Sequence, residues 1–292
     1  MTYRYDAVKF PAFLNNNIWA FAEDPDGQIW VGCDENLFLF DPARETITPQ
    51  FEPVIRAVNL DMARSLDRGA TITKNLKVDE GTCVCCRTAV TSGPEGMVYV
   101  AWRKIFEGNV RETVVARSTD HGETFEAPVI VGHDQWVFPA CPHRPASMGV
   151  DRQGRLYVVW YTEGTDEIPA VYIAYSDDRG KSFSEKRKLN VSKNTFPDHP
   201  QIAVDPEGRI VVVWEEQAPV KRDVVMSVSM DRGATFTAPH KVNEKKSQTP
   251  VVAVNSQGLF ALAWMEHGMP GHKIVMQTVK VPSVKVAAEP VR

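Results

Sequence analysis

A four-residue turn recurs along the sequence at nearly even intervals. Its copies are Asp24-Pro25-Asp26-Gly27, Gly93-Pro94-Glu95-Gly96, Asp151-Arg152-Gln153-Gly154, Asp205-Pro206-Glu207-Gly208 and Asn255-Ser256-Gln257-Gly258. Each ends on glycine, where a tight reversal needs positive φ or a close backbone approach. Alternating apolar runs flank the turns, most clearly Gln201 to Asp205 and Arg209 to Trp214, so each turn joins two short antiparallel strands. Six residues after four of these glycines stand Trp102, Trp160, Trp214 and Trp264, with Cys33 at that place in the first copy. A large aromatic at a fixed point of a repeated strand is packing material for the core.

A second marker, Ser-x-Asp-x-Gly-x-x-Phe, follows the third strand in every copy but the last. It reads Ser118-Asp120-Gly122-Phe125, Ser176-Asp178-Gly180-Phe183 and Ser229-Asp231-Gly233-Phe236, with a worn copy at Ser65-Asp67-Gly69-Ile72. The short carboxylate bonds backbone N–H groups of its own turn, the glycine takes the left-handed position and the aromatic packs beneath the hairpin. Four short strands in about fifty residues is the size of one propeller blade. The marker resembles the Asp-box, or BNR repeat, of sialidase-like β-propellers. That resemblance implies an all-β fold: a β-propeller of four-stranded antiparallel blades with Asp-box turns, five or six in number. It also implies that the Asp-boxes are folding devices on the face away from the active site. The chain reads as one domain, residues 1–292, with repeats at roughly 17–80, 84–131, 139–190, 197–243 and 247–288. The last is expected to be closed by the strand at 3–9 or by the tail at 284–288. The first repeat carries an extra stretch, Asp34 to Pro53, able to form a hairpin of its own. The opening segment NNNIWAFAEDPDGQIWVGCDENLFLFDP is similar to the blades of two-component-regulator sensor propellers.

In such a fold the start of each leading strand and the end of each second strand meet at one mouth. Counting back from the turn glycines reaches Asn16 and Asn17, Cys85 and Cys86, His143 and Arg144, Asp198 and His199, and Gln248 and Thr249. Counting forward past the aromatic position reaches Asp34, Arg103, Tyr161, Glu215 and Met265. The ring so assembled is rich in soft ligands. Cys83, Cys85, Cys86, Cys141, His143 and His199 are candidate metal ligands, for copper where thiolates dominate or for zinc in a tetrahedral mixed set. Two alternatives stand beside that reading: a disulfide between Cys83 or Cys86 and Cys141, and inert buried thiols. The stretch from CVCCRTAV to ACPHRPASMGVD also resembles a bacterial group of sialidase-like proteins that carries a Cys-x-Cys-Cys cluster and an Ala-Cys-Pro element.

Sialidases hold a substrate carboxylate with arginines and use a Tyr–Glu nucleophile with an Asp acid/base. The resemblance carries those roles to Arg87, Arg103, Arg144, Tyr161, Asp198 and Glu215 or Glu216. Two departures oppose it: an N-terminal Arg-Ile-Pro element is absent, and cysteines crowd the pocket. His121, His133, His240, His267 and His272 read as surface residues. No Gly-rich phosphate loop, Ser-His-Asp elbow or His-Glu-x-x-His motif is present. The net charge of -4 opposes nucleic-acid or membrane-surface binding by bulk electrostatics. The start MTYRYDAVKF has no apolar signal region, so the chain as given is expected in the cytoplasm, or exported if a leader was removed. Three functions follow: a propeller with an axial copper or zinc site, a sialidase-type glycoside hydrolase, and a non-catalytic propeller. In each a small-molecule or glycan ligand, or for the last a protein partner, would occupy the mouth; oligomeric state is left open.

Overall fold

The computed structural model describes residues 18–23, 29–33, 37–41, 46–49, 58–65, 70–192, 194–268 and 271–282. Two compact units divide the chain, Met1–Arg56 and Ala57–Arg292. The first holds one antiparallel sheet whose strands Ile18–Glu23, Ile29–Cys33, Leu37–Asp41 and Thr46–Pro49 pair in chain order. The hairpin expected in Asp34 to Pro53 forms the last two of these strands. The first turn, most of the worn Asp-box and both candidate closing strands lie outside the described residues.

In the second unit the same four-strand order repeats. Ala89–Ser92, Val98–Phe106, Val110–Ser118 and Val129–Ile130 form one such set, joined at Lys104 by Thr82 of the hairpin Val58–Met62 and Leu76–Thr82. Ser147–Val150, Leu156–Thr162, Ala170–Ser176 and Arg187–Lys188 form the next. Phe196–Val204, Ile210–Ala218, Lys221–Ser229 and His240–Lys241 follow, and Ser247–Val254, Leu259–Glu266 and Lys273–Lys280 complete the series.

The second strands explain how these sheets stack. Along Leu156–Thr162 alternate side chains enter two different cores: Leu156, Val158 and Trp160 pack with Tyr99 and Val115, whereas Tyr157 and Val159 pack with Ile210, Val212 and Trp214. A strand buried on both faces reads as the continuous apolar run LYVVW, and neighbouring sheets therefore lie face to face. Close approach is built in at Gly132, where an added Cβ would sit 2.4 Å from Trp160 Cζ2.

The two sequence markers take the local form their chemistry requires. Asp151, Asp205 and Asn255 each accept two backbone N–H bonds within their turn, at 2.8–3.0 Å. Gly154, Gly208 and Gly258 have φ of 88°, 82° and 72°. In the Asp-boxes the serine hydroxyl donates to the aspartate at 2.6, 2.7 and 2.8 Å and accepts the glycine N–H at 2.8, 2.7 and 2.8 Å. The two markers share one end of the strands: His121 of an Asp-box donates its backbone N–H to Gly96 O at 3.1 Å.

Candidate functional site

The opposite strand ends carry a chain of polar contacts that crosses four successive repeats. It begins at the loop before strand Ala89–Ser92, where the Sγ atoms of Cys83, Cys85 and Cys86 lie within 4.8 Å of one another. Cys83 and Cys86 are buried and Cys85 is half-buried, with 3.4 Å between the sulfurs of Cys83 and Cys85. Cys83, Cys85, Cys86 and Cys141 are all free, so the disulfide expectation between Cys83 or Cys86 and Cys141 does not hold in this structure. Cys141 is exposed, with its thiol against Cys85, and the His143 backbone N–H faces the Cys85 sulfur. The thiols share their protons unequally. Hydrogen bonds from Cys85 and Cys86 push the Cys83 thiol far down, and the same bonds push Cys85 and Cys86 up. The bonding pattern therefore favours the thiolate form at Cys83 over Cys85 and Cys86, in the way thiolates are stabilised beside donors and cations.

Two buried arginines adjoin this loop. Arg103 accepts the Cys83 N–H on its carbonyl at 2.9 Å, and its guanidinium donates to Tyr161 O at 2.6 Å and Arg144 O at 3.3 Å. The ring of Trp136 lies 5.1 Å from that guanidinium. Arg111 donates to Phe138 O at 2.9 Å and Ala140 O at 3.2 Å. Among the described residues neither guanidinium meets a carboxylate, and Arg103 Nε, Arg103 Nη1 and Arg111 Nη1 have no hydrogen-bond partner.

From Arg103 the contacts pass to the next repeat. Arg144 Nε lies 3.0 Å from Asp198 Oδ1, and its guanidinium stands 4.8 Å over the Tyr161 ring. The Tyr161 hydroxyl donates to Glu163 at 2.6 Å, so its carboxylate partner is Glu163 and not Glu215 or Glu216. Asp198 and Glu215 face each other across a strand pair. His199 Nδ1 lies 3.1 Å from Glu215 Oε1 and 3.5 Å from Asp198 Oδ1. Thr249, from the following repeat, donates its N–H to Glu215 Oε1 at 2.6 Å. Burial pushes Asp198 up; the Glu215 carboxylate beside its ring pushes His199 up; Glu215 is held down, against its own burial, chiefly by that same pairing.

The leading segments share a backbone device. His143, His199 and Thr249 have φ of 53°, 47° and 51°. Left-handed backbone at a β-branched threonine is costly, and such residues gather where a surrounding network over-determines them. In the last two repeats the strand pairing slips at this point, between Asp198 and Gln201 and between Gln248 and Val251. The slip turns the short segment toward the mouth end and aims the Thr249 N–H at the preceding repeat.

Of the residues proposed from sequence, the structure brings Cys83, Cys85, Cys86 and Cys141 together, and separately Arg144, Tyr161, Asp198, His199 and Glu215. His143 joins the thiols through its backbone while its side chain is exposed; His199 joins the carboxylates; Arg87 is exposed. Arg111, Trp136 and Glu163 were not singled out. Strand alternation carries the first: Arg111 pairs with Ile105, two residues from Arg103, and so shares its sheet face.

Known proteins place this architecture. A BNR repeat-like domain model matches residues 59–268, and a two-component-regulator propeller model matches residues 12–35. No curated protein matches the sequence. Among solved structures, a protein of unknown function from Dyadobacter fermentans is similar over 94% of this chain and 82% of its own, at 16% identity and a TM-score of 0.58. The Hadza microbial sialidase Hz136 matches 87% of this chain at 15% identity and a TM-score of 0.52; this chain covers 52% of it, about half its length. An α-L-arabinanase of Penicillium chrysogenum, complexed with arabinobiose, matches 86% of this chain and 77% of its own at 14% identity and a TM-score of 0.50. At these identities the likeness speaks for the fold, an all-β propeller of four-stranded antiparallel blades. With Asp-boxes in three successive repeats and a family match across most of its length, the chain belongs to the BNR repeat-like family of sialidase-like β-propellers.

Proposed function

We propose that this protein binds a thiophilic transition-metal ion, copper(I) or zinc(II), through Cys83, Cys85 and Cys86, with Cys141 placed to add a fourth thiol. The observation that carries this reading is the grouping of three sulfurs within 4.8 Å, two of them buried. The donor set suits such an ion: thiolates are soft ligands, and three or four sulfurs match the coordination that copper(I) and zinc(II) take. The His143 N–H beside Cys85 and the arginines beside Cys83 and Cys86 are the surrounding groups that orient such ligands and tune their charge. The test is an anaerobic titration of the metal-stripped chain with zinc(II) and with copper(I), followed by thiolate-to-metal ultraviolet absorption. Saturable absorption that Cys85→Ser and Cys86→Ser each remove supports the site; its absence in the wild type refutes it.

A second reading rests on the neighbouring cluster. The Tyr161–Glu163 hydrogen bond, under the Arg144 guanidinium and beside a buried Asp198 pushed up, supplies a tyrosine–carboxylate pair and an acid of the kind a sialidase-type hydrolase needs. Turnover of an aryl sialoside that is lost in Tyr161→Phe and insensitive to chelators supports it. Neither metal binding nor turnover would leave the mouth as a non-catalytic binding surface.

A further inference from the structure

We infer that Arg103 and Arg111 set the charge of this site so that it selects a monovalent ion, copper(I), over zinc(II). The inference rests on the metal-site reading above and adds which ion the site takes and which residues decide it. Both side chains are buried, Arg103 at 2% exposure and Arg111 at 5%. A guanidinium stays protonated under all ordinary conditions, so each carries a full charge inside the protein. Buried charges are normally paired, because an unpaired one loses its hydration without compensation. Here neither has a carboxylate among the described residues, and three of their N–H-bearing nitrogens lack any acceptor. Their hydrogen bonds go to carbonyls alone, Tyr161 and Arg144 for Arg103 and Phe138 and Ala140 for Arg111, with the Trp136 ring beside the Arg103 guanidinium.

Those carbonyls and the register show what the two charges surround. Arg103 and Arg111 share one sheet face, and Cys83 is bonded to the Arg103 backbone. The carbonyls of Phe138, Ala140 and Arg144 bracket Cys141, so the guanidiniums hold the Cys141 segment, while the Arg103 carbonyl holds the Cys83 end of the thiol loop. The Arg103 charge reaches the Cys86 thiol and the Arg111 charge reaches the Cys83 thiol. The buried carboxylate next in sequence, Glu112, points to the other face and is taken up by the N–H groups of Asp134 and Gln135 at 2.8 Å.

Charge balance then discriminates between ions of similar softness. Three thiolates around copper(I) carry two net negative charges, which the two guanidiniums cancel. Around zinc(II) the same thiolates carry one, leaving a positive charge uncompensated in buried surroundings. Recruiting Cys141 would rebalance zinc, but its exposed position leaves it the least desolvated of the four.

The experiment is a competition on the full chain under anaerobic conditions, with copper(I) buffered by a chromophoric chelator and zinc(II) by a second. The ratio of the two affinities is measured for wild type, Arg103→Met, Arg111→Met and the charge-retaining Arg103→Lys and Arg111→Lys, with thermal melting recorded for each. Each Met variant is expected to lower the copper(I)-over-zinc(II) ratio about tenfold, the size of effect one nearby charge exerts on a thiolate site. Each Lys variant should stay within about threefold of wild type, since the charge is kept. Arg111→Met, which loses two carbonyl bonds but not the Trp136 ring contact that Arg103 makes, is the variant read if Arg103→Met does not fold. Equal ratios in the Met and Lys variants would overturn the inference while leaving the metal site standing. Failure of the wild type to bind either ion would instead remove the site itself.

Discussion

His199 Nδ1 stands 3.1 Å from Glu215 Oε1, within a cluster that also contains Asp198 and the Arg144 guanidinium. The pair makes stability depend on pH on both flanks. His199 is raised above its ordinary 6.5, so its contribution is complete below that value and is lost as pH rises through the raised one. Glu215 is lowered from its ordinary 4.5, so its contribution is present above 4.5 and is lost as pH falls through the lowered one. Asp198, pushed up by burial, favours the acid side and offsets part of the Glu215 effect. The alkaline flank is therefore the cleaner measurement. Melting temperature should decline as pH rises above 6.5, and His199→Gln should flatten that decline.

The tryptophans divide into two kinds. Trp160 Nε1 donates to Asp134 at 2.8 Å and Trp214 Nε1 to Glu216 at 2.7 Å, whereas the indole nitrogen of Trp102 has no partner. Trp160→Phe strips a donor from a buried carboxylate that keeps Lys186, and should cost about 1–3 kcal/mol beyond the packing loss. Trp102→Phe should show the packing loss alone. Chemical denaturation of the two variants separates these outcomes.

Within an Asp-box the serine matters more than its exposed surroundings suggest. Ser176 Oγ accepts the buried Gly180 N–H at 2.7 Å and donates to Asp178 at the same distance. Ser176→Ala leaves that N–H unsatisfied and should destabilise by about 1–3 kcal/mol. Lying at the end of the strands away from the thiols, it should leave metal binding unchanged; denaturation and metal titration of one preparation check both.

Gly132 is required by contact rather than by left-handed backbone. Its Cβ would meet Trp160 Cζ2 at 2.4 Å and Asp134 Oδ1 at 2.9 Å. Gly132→Ala should cost about 1–3 kcal/mol through overpacking and perturb the Trp160 environment, visible in near-ultraviolet circular dichroism.

Much of the architecture was legible because its chemistry is local. A turn glycine at positive φ and a serine–aspartate–glycine hairpin complete their hydrogen bonds within five residues, so Gly208 and Asp231 declare themselves without any knowledge of the rest. The grouping of Cys85 with Cys141 and of Arg144 with Asp198 followed from counting along strands of equal length. What the counting could not supply is register. Whether His199 turns to the thiols or to Glu215 depends on the slip between Asp198 and Gln201, which only the partner strand defines. Tyr161 finding Glu163 is likewise a matter of side-chain direction at a strand end. The joining of the hairpin Val58–Met62 and Leu76–Thr82 to the next sheet rests on the single pairing of Thr82 with Lys104.

The central claim concerns the metal, and the most direct measurement is the metal content of the protein as purified, without added ions. The account predicts about one equivalent of copper or zinc per chain, abolished when Cys85 and Cys86 become serine in a variant that melts cooperatively. Protein holding only traces of every thiophilic metal, or the same content in wild type and the double variant, would contradict it.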